Sequence, residues 1–252
     1  MAEFKSYRSY WDFSHSVSRE WRYTRSSEQE EFLSAVLDTS DSREVIIPQD
    51  EILHRAQIGH DLHSVDIDGE PGEEPCPFPP ERMKPLKNQA SEGRANPKGI
   101  PYLYLATQLS TAISEVRPWV DALVSVAQLK VTRPLTIVDF SKEEKRLIAY
   151  LGEPNAPERE RAVWRDINYA FSRPVTQNEL VADYVPTQML AELFREHSFD
   201  GIGYKSSLGS GSNLALFDFE AADVINCTLF HVDAVDFVFS ERDRYFIKKH
   251  YP

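Results

Sequence analysis

The sequence predicts an α+β fold, in which helices and strands are mixed without the regular strand–helix–strand alternation of a parallel α/β sheet. Segments with strand and helix patterns follow one another in no fixed order, and the 252 residues contain no internal repeat. Hydrophobic residues make up 41% of the chain and charged residues 27%, which is typical of a globular protein and excludes a largely disordered chain.

The first 48 residues form an aromatic-rich extension, and we place the main domain at residues 49–252. Glu28–Thr39 predicts a short amphipathic helix, because Phe32, Leu33 and Val36 fall on one helical face. Eight aromatic residues lie within the first 32 positions: Phe4, Tyr7, Tyr10, Trp11, Phe13, Trp21, Tyr23 and Phe32. The extension therefore either packs on the core or forms an interface, since aromatic side chains are enriched at interfaces.

Two strand patterns and a long irregular segment come next. Val45–Ile47 and Ile52–Gly59 predict strands. Between His60 and Gly99 the periodicity is lost, and six of the 16 prolines lie between Pro71 and Pro85. The same segment carries an acidic cluster of Asp66, Asp68, Glu70, Glu73 and Glu74. This composition predicts a surface loop or insertion.

The rest of the chain alternates less regularly between the two patterns. A helix begins near Ser110, a good N-cap residue, and Pro118 predicts that this helix is short or kinked. Further helices are predicted at Lys142–Leu151, Glu158–Phe171 and Pro186–Glu196. Strands or apolar runs are predicted at Ile100–Ala106, Ala127–Val131, Leu135–Phe140, Asp200–Ser206, Asn213–Phe219, Val224–Phe230 and Ala234–Phe239.

Charge and cysteine content exclude several classes of function. The formal charge of −12 makes general binding to nucleic acid or to anionic membranes unfavourable, because the average field repels phosphate. Cys76 and Cys227 form no disulfide framework, and no apolar run approaches the length of a spanning helix. The spacing of His54, His60 and His63 with Asp61, Asp66 and Asp68 matches no zinc or calcium motif. We therefore expect a soluble cytoplasmic protein without a metal site.

One segment reverses the overall charge. Between Arg82 and Lys98, Glu92 is the only acidic residue, and the five basic residues are Arg82, Lys84, Lys87, Arg94 and Lys98. The segment leads directly into the strand at Ile100–Ala106. It predicts either a site for a small phosphate-bearing ligand, for which arginine supplies a bidentate donor, or a solvated charge run that balances the acidic cluster.

A series of motifs, spanning about Arg55 to Phe239, resembles the RES domain family. The pattern G-R-x-N-x-x-G-x-P occurs as Gly93, Arg94, Asn96, Gly99 and Pro101, and an apolar run with Tyr104 and the T-A-x-x-E pattern of Thr111, Ala112 and Glu115 follow it. The family's G-I-x-Y-x-S element and the following N-x-x-x-F occur as Gly201, Ile202, Tyr204, Ser206, Asn213 and Phe217. Upstream, the arginine of the early strand corresponds to Arg55.

This resemblance implies a fold and a function. RES proteins have a core of short mixed or antiparallel sheets flanked by helices, similar to that of diphtheria-toxin-like ADP-ribosyltransferases. They are commonly toxins of bacterial toxin–antitoxin pairs that consume NAD, by phosphorolysis or hydrolysis of the nicotinamide–ribose bond. The usual partner is an antitoxin with an Xre-like DNA-binding domain, and a homodimer is also compatible with the family. Two alternatives remain open: a protein ADP-ribosyltransferase, and an inactive member that only binds NAD or a partner.

The chemistry of NAD cleavage suits a single carboxylate. Nicotinamide leaves as a neutral base and needs no proton, so the step requires stabilisation of an oxocarbenium-like ribose rather than a pair of carboxylic acids. The resemblance assigns that role to Glu115, whose alternative is a solvated glutamate near a helix start. Tyr104 would stack on nicotinamide or bind the ribose, and Tyr102 is an alternative because it lies two positions away on the same sheet face.

The remaining candidates would bind the dinucleotide. Arg55 and Arg94 are the expected contacts to the diphosphate or ribose, or else form structural ion pairs, and Lys98 is a weaker phosphate candidate. Ser206 would bind ribose or phosphate through its hydroxyl, although the neighbouring Ser207 is an alternative. Asn213 either holds the local turn or contacts the ligand. The amides of the Leu208–Ser212 turn form either an anion-binding nest or an ordinary hairpin turn.

Overall fold

The computed structural model describes residues 2–67, 70–86, 90–142, 150, 152–173 and 181–241, and in these ranges it confirms the α+β class. The helices of the described residues are α1 (Ser9–Arg19), α2 (Ser27–Asp38), α3 (Leu109–Glu115), α4 (Ala156–Ser172) and α5 (Val185–Glu196). The strands of the described residues are β1 (Glu44–Ile47), β2 (Ile52–Ile58), β3 (Asp61–Ile67), β4 (Glu70–Cys76), β5 (Leu103–Ala106), β6 (Leu123–Val131), β7 (Leu135–Asp139), β8 (Gly201–Lys205), β9 (Ser212–Leu216) and β10 (Ala222–His231).

The main sheet has the strand order β1-β7-β8-β9-β5-β2-β6-β10, and β7–β8 is its parallel pair. The sheet has two halves, β1-β7-β8-β9-β5 and β2-β6-β10, which are joined by very little strand pairing among the described residues. Strands β5 and β2 meet at one residue pair, His54 with Ala106, whereas β2 and β6 are paired over seven residues and β5 and β9 over four. The halves diverge beyond that pair, and a cleft opens between them.

The N-terminal extension packs against the helices that cover one face of the sheet. Tyr10, Phe13 and Phe32 are buried in the same apolar cluster as Trp164 of α4 and Phe194 of α5. Strand β1 pairs antiparallel with β7 and forms one edge of the sheet. Burial of each large apolar side chain contributes about 1.5–3 kcal/mol, so the extension adds substantially to the core. The exposed aromatic residues Trp11, Trp21 and Tyr23 leave a partner surface on this extension as a prediction.

Local sequence signals account for the helix starts. Ser26 caps α2 by accepting a hydrogen bond from the backbone N–H of Gln29, whose side chain accepts one from the backbone of Ser26, which forms a capping box. Asn155 caps α4 by accepting a hydrogen bond from the backbone N–H of Glu158. Helix α3 ends at Glu115, before Pro118, as the short-helix prediction requires.

The segment after β2 corrects one prediction. Residues His60–Gly99 are predicted to form a surface loop or insertion, but within them β3 and β4 pair antiparallel as a separate two-stranded sheet, so the loop alternative is wrong for these strands. The sequence offered a signal for this hairpin, because Asp68-Gly69 is a common turn dipeptide. The prolines and acidic residues obscured the strand pattern, since both are depleted in strands. Residues 68 and 69 themselves lie outside the described ranges.

The last apolar run corrects another prediction. Val224–Phe230 belongs to β10, but Ala234–Phe239 forms neither helix nor strand, and the side chains of Phe237, Val238 and Phe239 are exposed. Of the helix predicted at Lys142–Leu151, residues 143–149 and 151 lie outside the described part of the chain, as does Lys87 of the basic segment. None of the helices in the described ranges is long and apolar enough to cross a lipid bilayer.

Candidate active site

A pocket of about 250 Å³ lies where the two halves of the sheet diverge. Strand β2 contributes one wall, strand β5 the other, and α3 covers one end. The residues around the pocket are His54, Arg55, Ala56, Tyr104, Leu105, Ala106, Ala112, Glu115, Val116, Tyr204 and Asn213. Four of the predicted site residues, Arg55, Tyr104, Glu115 and Asn213, are therefore brought together from four different elements.

Glu115 is the last residue of α3 and is exposed at the pocket mouth. Its Oε1 accepts two hydrogen bonds, from Ser206 Oγ at 2.6 Å and from Asn213 Nδ2 at 2.7 Å. No described residue bonds Oε2, so this second oxygen is available to a ligand. A carboxylate at a helix C-terminus faces the negative end of the helix dipole, and the two donors offset that repulsion.

Ser206 is buried at the centre of a hydrogen-bonded turn. While its hydroxyl donates to Glu115, the same oxygen accepts bonds from the backbone N–H groups of Leu208 and Gly209. The next residue, Ser207, is exposed. The structure therefore places Ser206, and not Ser207, beside the candidate carboxylate.

The turn after Ser206 packs tightly on α3. The backbone N–H of Gly211 donates to Thr111 Oγ1 at 3.0 Å, and a Cβ added at Gly209 would approach that same oxygen to 2.6 Å. Glycine is required at this position because only a residue without a side chain allows so close an approach. The amides of residues 208, 209, 211 and 212 all have partners within the chain, which favours a hairpin connection over an anion nest.

Arg55 is a half-buried cation between the two walls of the pocket. Its Nη1 donates to the backbone oxygen of Tyr104 at 3.2 Å, and its Nε has no hydrogen-bond partner among the described residues. Burial lowers the pKa of Arg55, and no carboxylate of the described chain compensates for that burial. A buried guanidinium without an anionic partner is poised to bind an anionic ligand, since the ligand would supply the missing charge.

Tyr104 lines the pocket, and its hydroxyl is engaged by residues outside it. The hydroxyl donates to Asn96 Oδ1 at 2.7 Å and accepts from the backbone N–H of Ala95 at 3.0 Å. Burial raises the pKa of Tyr104, so the phenol stays neutral at physiological pH. Of the two predicted roles, this arrangement favours stacking by the ring. The alternative residue, Tyr102, packs its ring on Phe217 and does not line this pocket.

The structure does not bring Arg94 or Lys98 into the pocket. Arg94 Nη1 donates to the backbone oxygen of Ala170 at 2.8 Å, near the C-terminus of α4, where cations complement the helix dipole. Lys98 is exposed in a turn before β5. Contacts between these two residues and a ligand stay predictions.

The family of this chain is shown by its match to a model of a known protein family. A family model described as RES domain matches residues 76–240, which is more than half of the chain. The chain belongs to the RES domain family. This confirms the resemblance drawn from the sequence motifs.

One solved structure is similar to this chain. The chain is similar to a chain of the Mycobacterium tuberculosis MbcT–MbcA toxin–antitoxin complex, with 14% sequence identity and a TM-score of 0.43. The similarity covers 78% of this chain and 92% of that one. No curated protein matches the sequence.

The RES domain match includes most of the candidate site. Tyr104, Glu115, Ser206 and Asn213 lie within the matched residues, whereas Arg55 precedes them on β2. The position of Arg55 in the pocket therefore rests on the geometry of the cleft rather than on the family match.

Two further residues line this pocket that the sequence analysis did not assign to the site. His54 precedes Arg55, and burial lowers the pKa of its imidazole, so it is neutral at physiological pH. Tyr204 of β8 is buried, and burial with the nearby Tyr104 and Glu115 raises the pKa of its phenol. Tyr204 belongs to the G-I-x-Y-x-S element, so its motif position was a usable signal. Among the described residues, no three His, Cys, Asp or Glu side chains form a group able to hold a metal ion.

Proposed function

We propose that this RES-domain protein is an enzyme that consumes NAD by breaking the bond between nicotinamide and ribose. Inorganic phosphate or water would accept the ADP-ribosyl group. The observation that carries the proposal is that one pocket contains both the held carboxylate of Glu115 and the guanidinium of Arg55. The Nε of Arg55 is buried without a hydrogen-bond partner, and the guanidinium has no anionic partner among the described residues. A dinucleotide with a cationic nicotinamide ribosyl end and an anionic diphosphate complements both charges.

In the proposed reaction, the bond between ribose C1′ and the nicotinamide nitrogen breaks, and its electron pair goes to the nitrogen. The pyridinium becomes neutral nicotinamide, while the ribose gains oxocarbenium character. Oε2 of Glu115 would bind the ribose hydroxyls and stabilise the developing positive charge. A phosphate oxygen or a water oxygen then forms the new bond to C1′, and with water a proton is released to solvent.

The other pocket residues would position the substrate. The guanidinium of Arg55 would bind the diphosphate, and the ring of Tyr104 would pack against nicotinamide. Ser206 and Asn213 would act through Glu115, because their hydrogen-bond donors already bind its Oε1. They are therefore positioning residues in this proposal rather than direct contacts of the substrate. Arg94 and Lys98 have no part in it.

The test measures NAD concentration over time with purified protein, with and without inorganic phosphate. We expect Glu115→Gln to fold and to lose NAD consumption by at least about 100-fold, a typical loss on removal of one group that stabilises transition-state charge. Glu196→Gln is the matched control, because Glu196 is the exposed last residue of α5 and lies outside the pocket. Equal rates for Glu115→Gln and the parent would refute the assignment.

The conditions of the same assay separate the acceptors. Loss of NAD only with phosphate identifies a phosphorylase that yields ADP-ribose 1″-phosphate, and loss in both conditions identifies a hydrolase. If neither condition consumes NAD, labelled NAD is incubated with a cell lysate, since a transferase labels a protein band. Binding of NAD without turnover or labelling would contradict the proposal and favour the inactive, binding-only alternative.

We further propose that a protein antitoxin of the Xre type is the partner of this chain. Support comes from its membership in the RES family, whose members are commonly toxins that such antitoxins inhibit. Expression of the protein in bacteria should arrest growth, and Glu115→Gln should relieve that arrest. A protein encoded beside the toxin gene should co-purify with it and suppress NAD loss, and failure to do either would contradict the proposed partnership.

A further inference from the structure

A second cavity, of about 280 Å³, adjoins the candidate active site. It shares Arg55 and Tyr104 with the first pocket, so the two cavities adjoin each other at these two residues. The other residues around it are Gln57, Arg82, Lys84, Pro85, Leu86, Ala90, Ser91, Asn96, Pro101 and Tyr102. Each cavity alone is smaller than the roughly 300–1,000 Å³ of a typical site for a drug-sized ligand, whereas the two together fall within that range.

The second cavity is cationic within an acidic protein. Its described lining contains three basic residues, Arg55, Arg82 and Lys84, and no carboxylate. Lys84 is neutralised by ion pairs with Glu220 and Asp223. Arg55 and Arg82 have no ion pair among the described residues, and they provide the unbalanced positive charge. The average field of a chain with a net charge of −12 repels anions. This local positive charge would therefore be what attracts an anion to the cavity.

Arg82 is held by its neighbours without being neutralised by them. Its guanidinium carbon lies 3.7 Å from the centre of the Phe78 ring, in a cation–π contact. Its backbone oxygen accepts a hydrogen bond from Gln57 Nε2 at 2.7 Å, which ties the residue to β2. Arg82 is exposed, and these contacts hold it beside the cavity and leave its fork of N–H donors available for an oxyanion.

We propose that this second cavity is a phosphate subsite, in which Arg82 and Arg55 bind the diphosphate at the adenosine end of the dinucleotide. This proposal rests on the proposed function, which places the nicotinamide end beside Glu115. Pro85, Leu86, Ala90 and Pro101 provide an apolar wall of the kind that packs against a nucleoside. Free inorganic phosphate shares the same chemistry and is the other possible source of the bound group.

The test measures equilibrium binding of two probes, ADP and inorganic phosphate, by calorimetry. We expect Arg82→Ala to weaken ADP binding by roughly 10- to 100-fold, the range for loss of a charge-assisted hydrogen bond. Arg82→Lys should be intermediate, because lysine keeps the charge but not the planar fork. Arg22→Ala is the matched control, since Arg22 is exposed in the N-terminal extension and far in sequence from the cleft. The melting temperature of each variant shows that it is folded.

The two probes distinguish the sources of the ligand. ADP binding that depends on Arg82 supports the diphosphate end of a dinucleotide, and phosphate binding that depends on Arg82 with no advantage for ADP supports the free anion. Equal affinity of the parent and Arg82→Ala for both probes, or no binding of either, overturns the subsite. These results do not require NAD turnover, so failure of the proposed enzyme activity is seen separately.

If the protein does consume NAD, the kinetics supply a second readout. Arg82→Ala should raise KM for NAD by about the same factor as it weakens ADP binding, with little change in kcat, because a contact remote from the broken bond acts on substrate and transition state alike. A loss confined to kcat would overturn the assignment of Arg82 to substrate binding.

Discussion

Replacing Ser206 with alanine is the sharpest test of the arrangement around Glu115. The substitution removes one hydroxyl that makes three hydrogen bonds: it donates to Glu115 Oε1 and accepts from the amides of Leu208 and Gly209. Ser207→Ala is a matched control at the adjacent position, because the side chain of Ser207 is exposed. The two substitutions are at adjacent positions, but only Ser206→Ala removes these three hydrogen bonds.

The size of both effects follows from the contacts. The bond to the carboxylate is charge-assisted and contributes about 1.5–3 kcal/mol, so its loss should reduce kcat/KM for NAD by roughly 10- to 100-fold. The two amides lie in a partly buried turn, where water can replace part of the lost interaction, and we expect a stability loss of about 2 kcal/mol. In a protein of this size, that loss lowers Tm by about 4–8 °C.

The assay combines NAD consumption with thermal unfolding monitored by circular dichroism. Ser206→Ala should show both losses, whereas Ser207→Ala should keep the parental rate and remain within about 0.5 kcal/mol of the parental stability. If Ser206→Ala retains the parental kcat/KM, Ser206 does not position Glu115 for chemistry. If it retains the parental Tm as well, the hydrogen-bonded turn contributes nothing measurable and the reasoning fails at its first step.

Two other predictions test the surroundings of the site. Gly209→Ala should lower Tm and NAD consumption together, because its Cβ would meet Thr111 of α3 at 2.6–3.0 Å, while Gly152→Ala, whose Cβ meets open space, serves as the control. Hydrogen bonds to two aspartates raise the pKa of His231 above its ordinary value near 6.5, so its contribution to stability is full below pH 6.5 and is lost as the pH rises through the raised pKa. Tm measured against pH should therefore fall more steeply above pH 6.5 for the parent than for His231→Gln, and parallel curves would contradict this role.

The sequence predicted the regular elements well wherever local patterns dominate. Helix α2 was expected at Glu28–Thr39 and lies at Ser27–Asp38, because a capping box and one apolar face are both local signals. Prediction from local patterns failed at β3 and β4, where pairing across a hairpin outweighs the low strand propensity of proline and glutamate. Ala234–Phe239 is another departure: the apolar run was expected to close the fold, but its Phe237, Val238 and Phe239 side chains are exposed.

The sequence motifs predicted which residues belong to the candidate site, but not how those residues contact one another. The motif positions identified Glu115, Ser206 and Asn213, and these three side chains are joined by hydrogen bonds. The sequence did not indicate that Ser206 and Asn213 hold the carboxylate, because they lie 91 and 98 positions away from Glu115. Arg94 shows the converse: its charge and motif position suggested a ligand contact, but its Nη1 donates to the backbone at the end of α4.

The position of Glu115 explains why these distant residues matter. An isolated glutamate at the start of a helix needs no partner, because the helix dipole favours it there. Glu115 instead ends α3, where the dipole opposes a negative charge, and it is flanked by a turn that glycine allows to approach the helix. This unfavourable position is offset by two hydrogen-bond donors, Asn213 of β9 and Ser206 in the turn after β8. A solvated surface glutamate would gain nothing from such support, whereas a carboxylate that must hold one oxygen toward a cleft requires it.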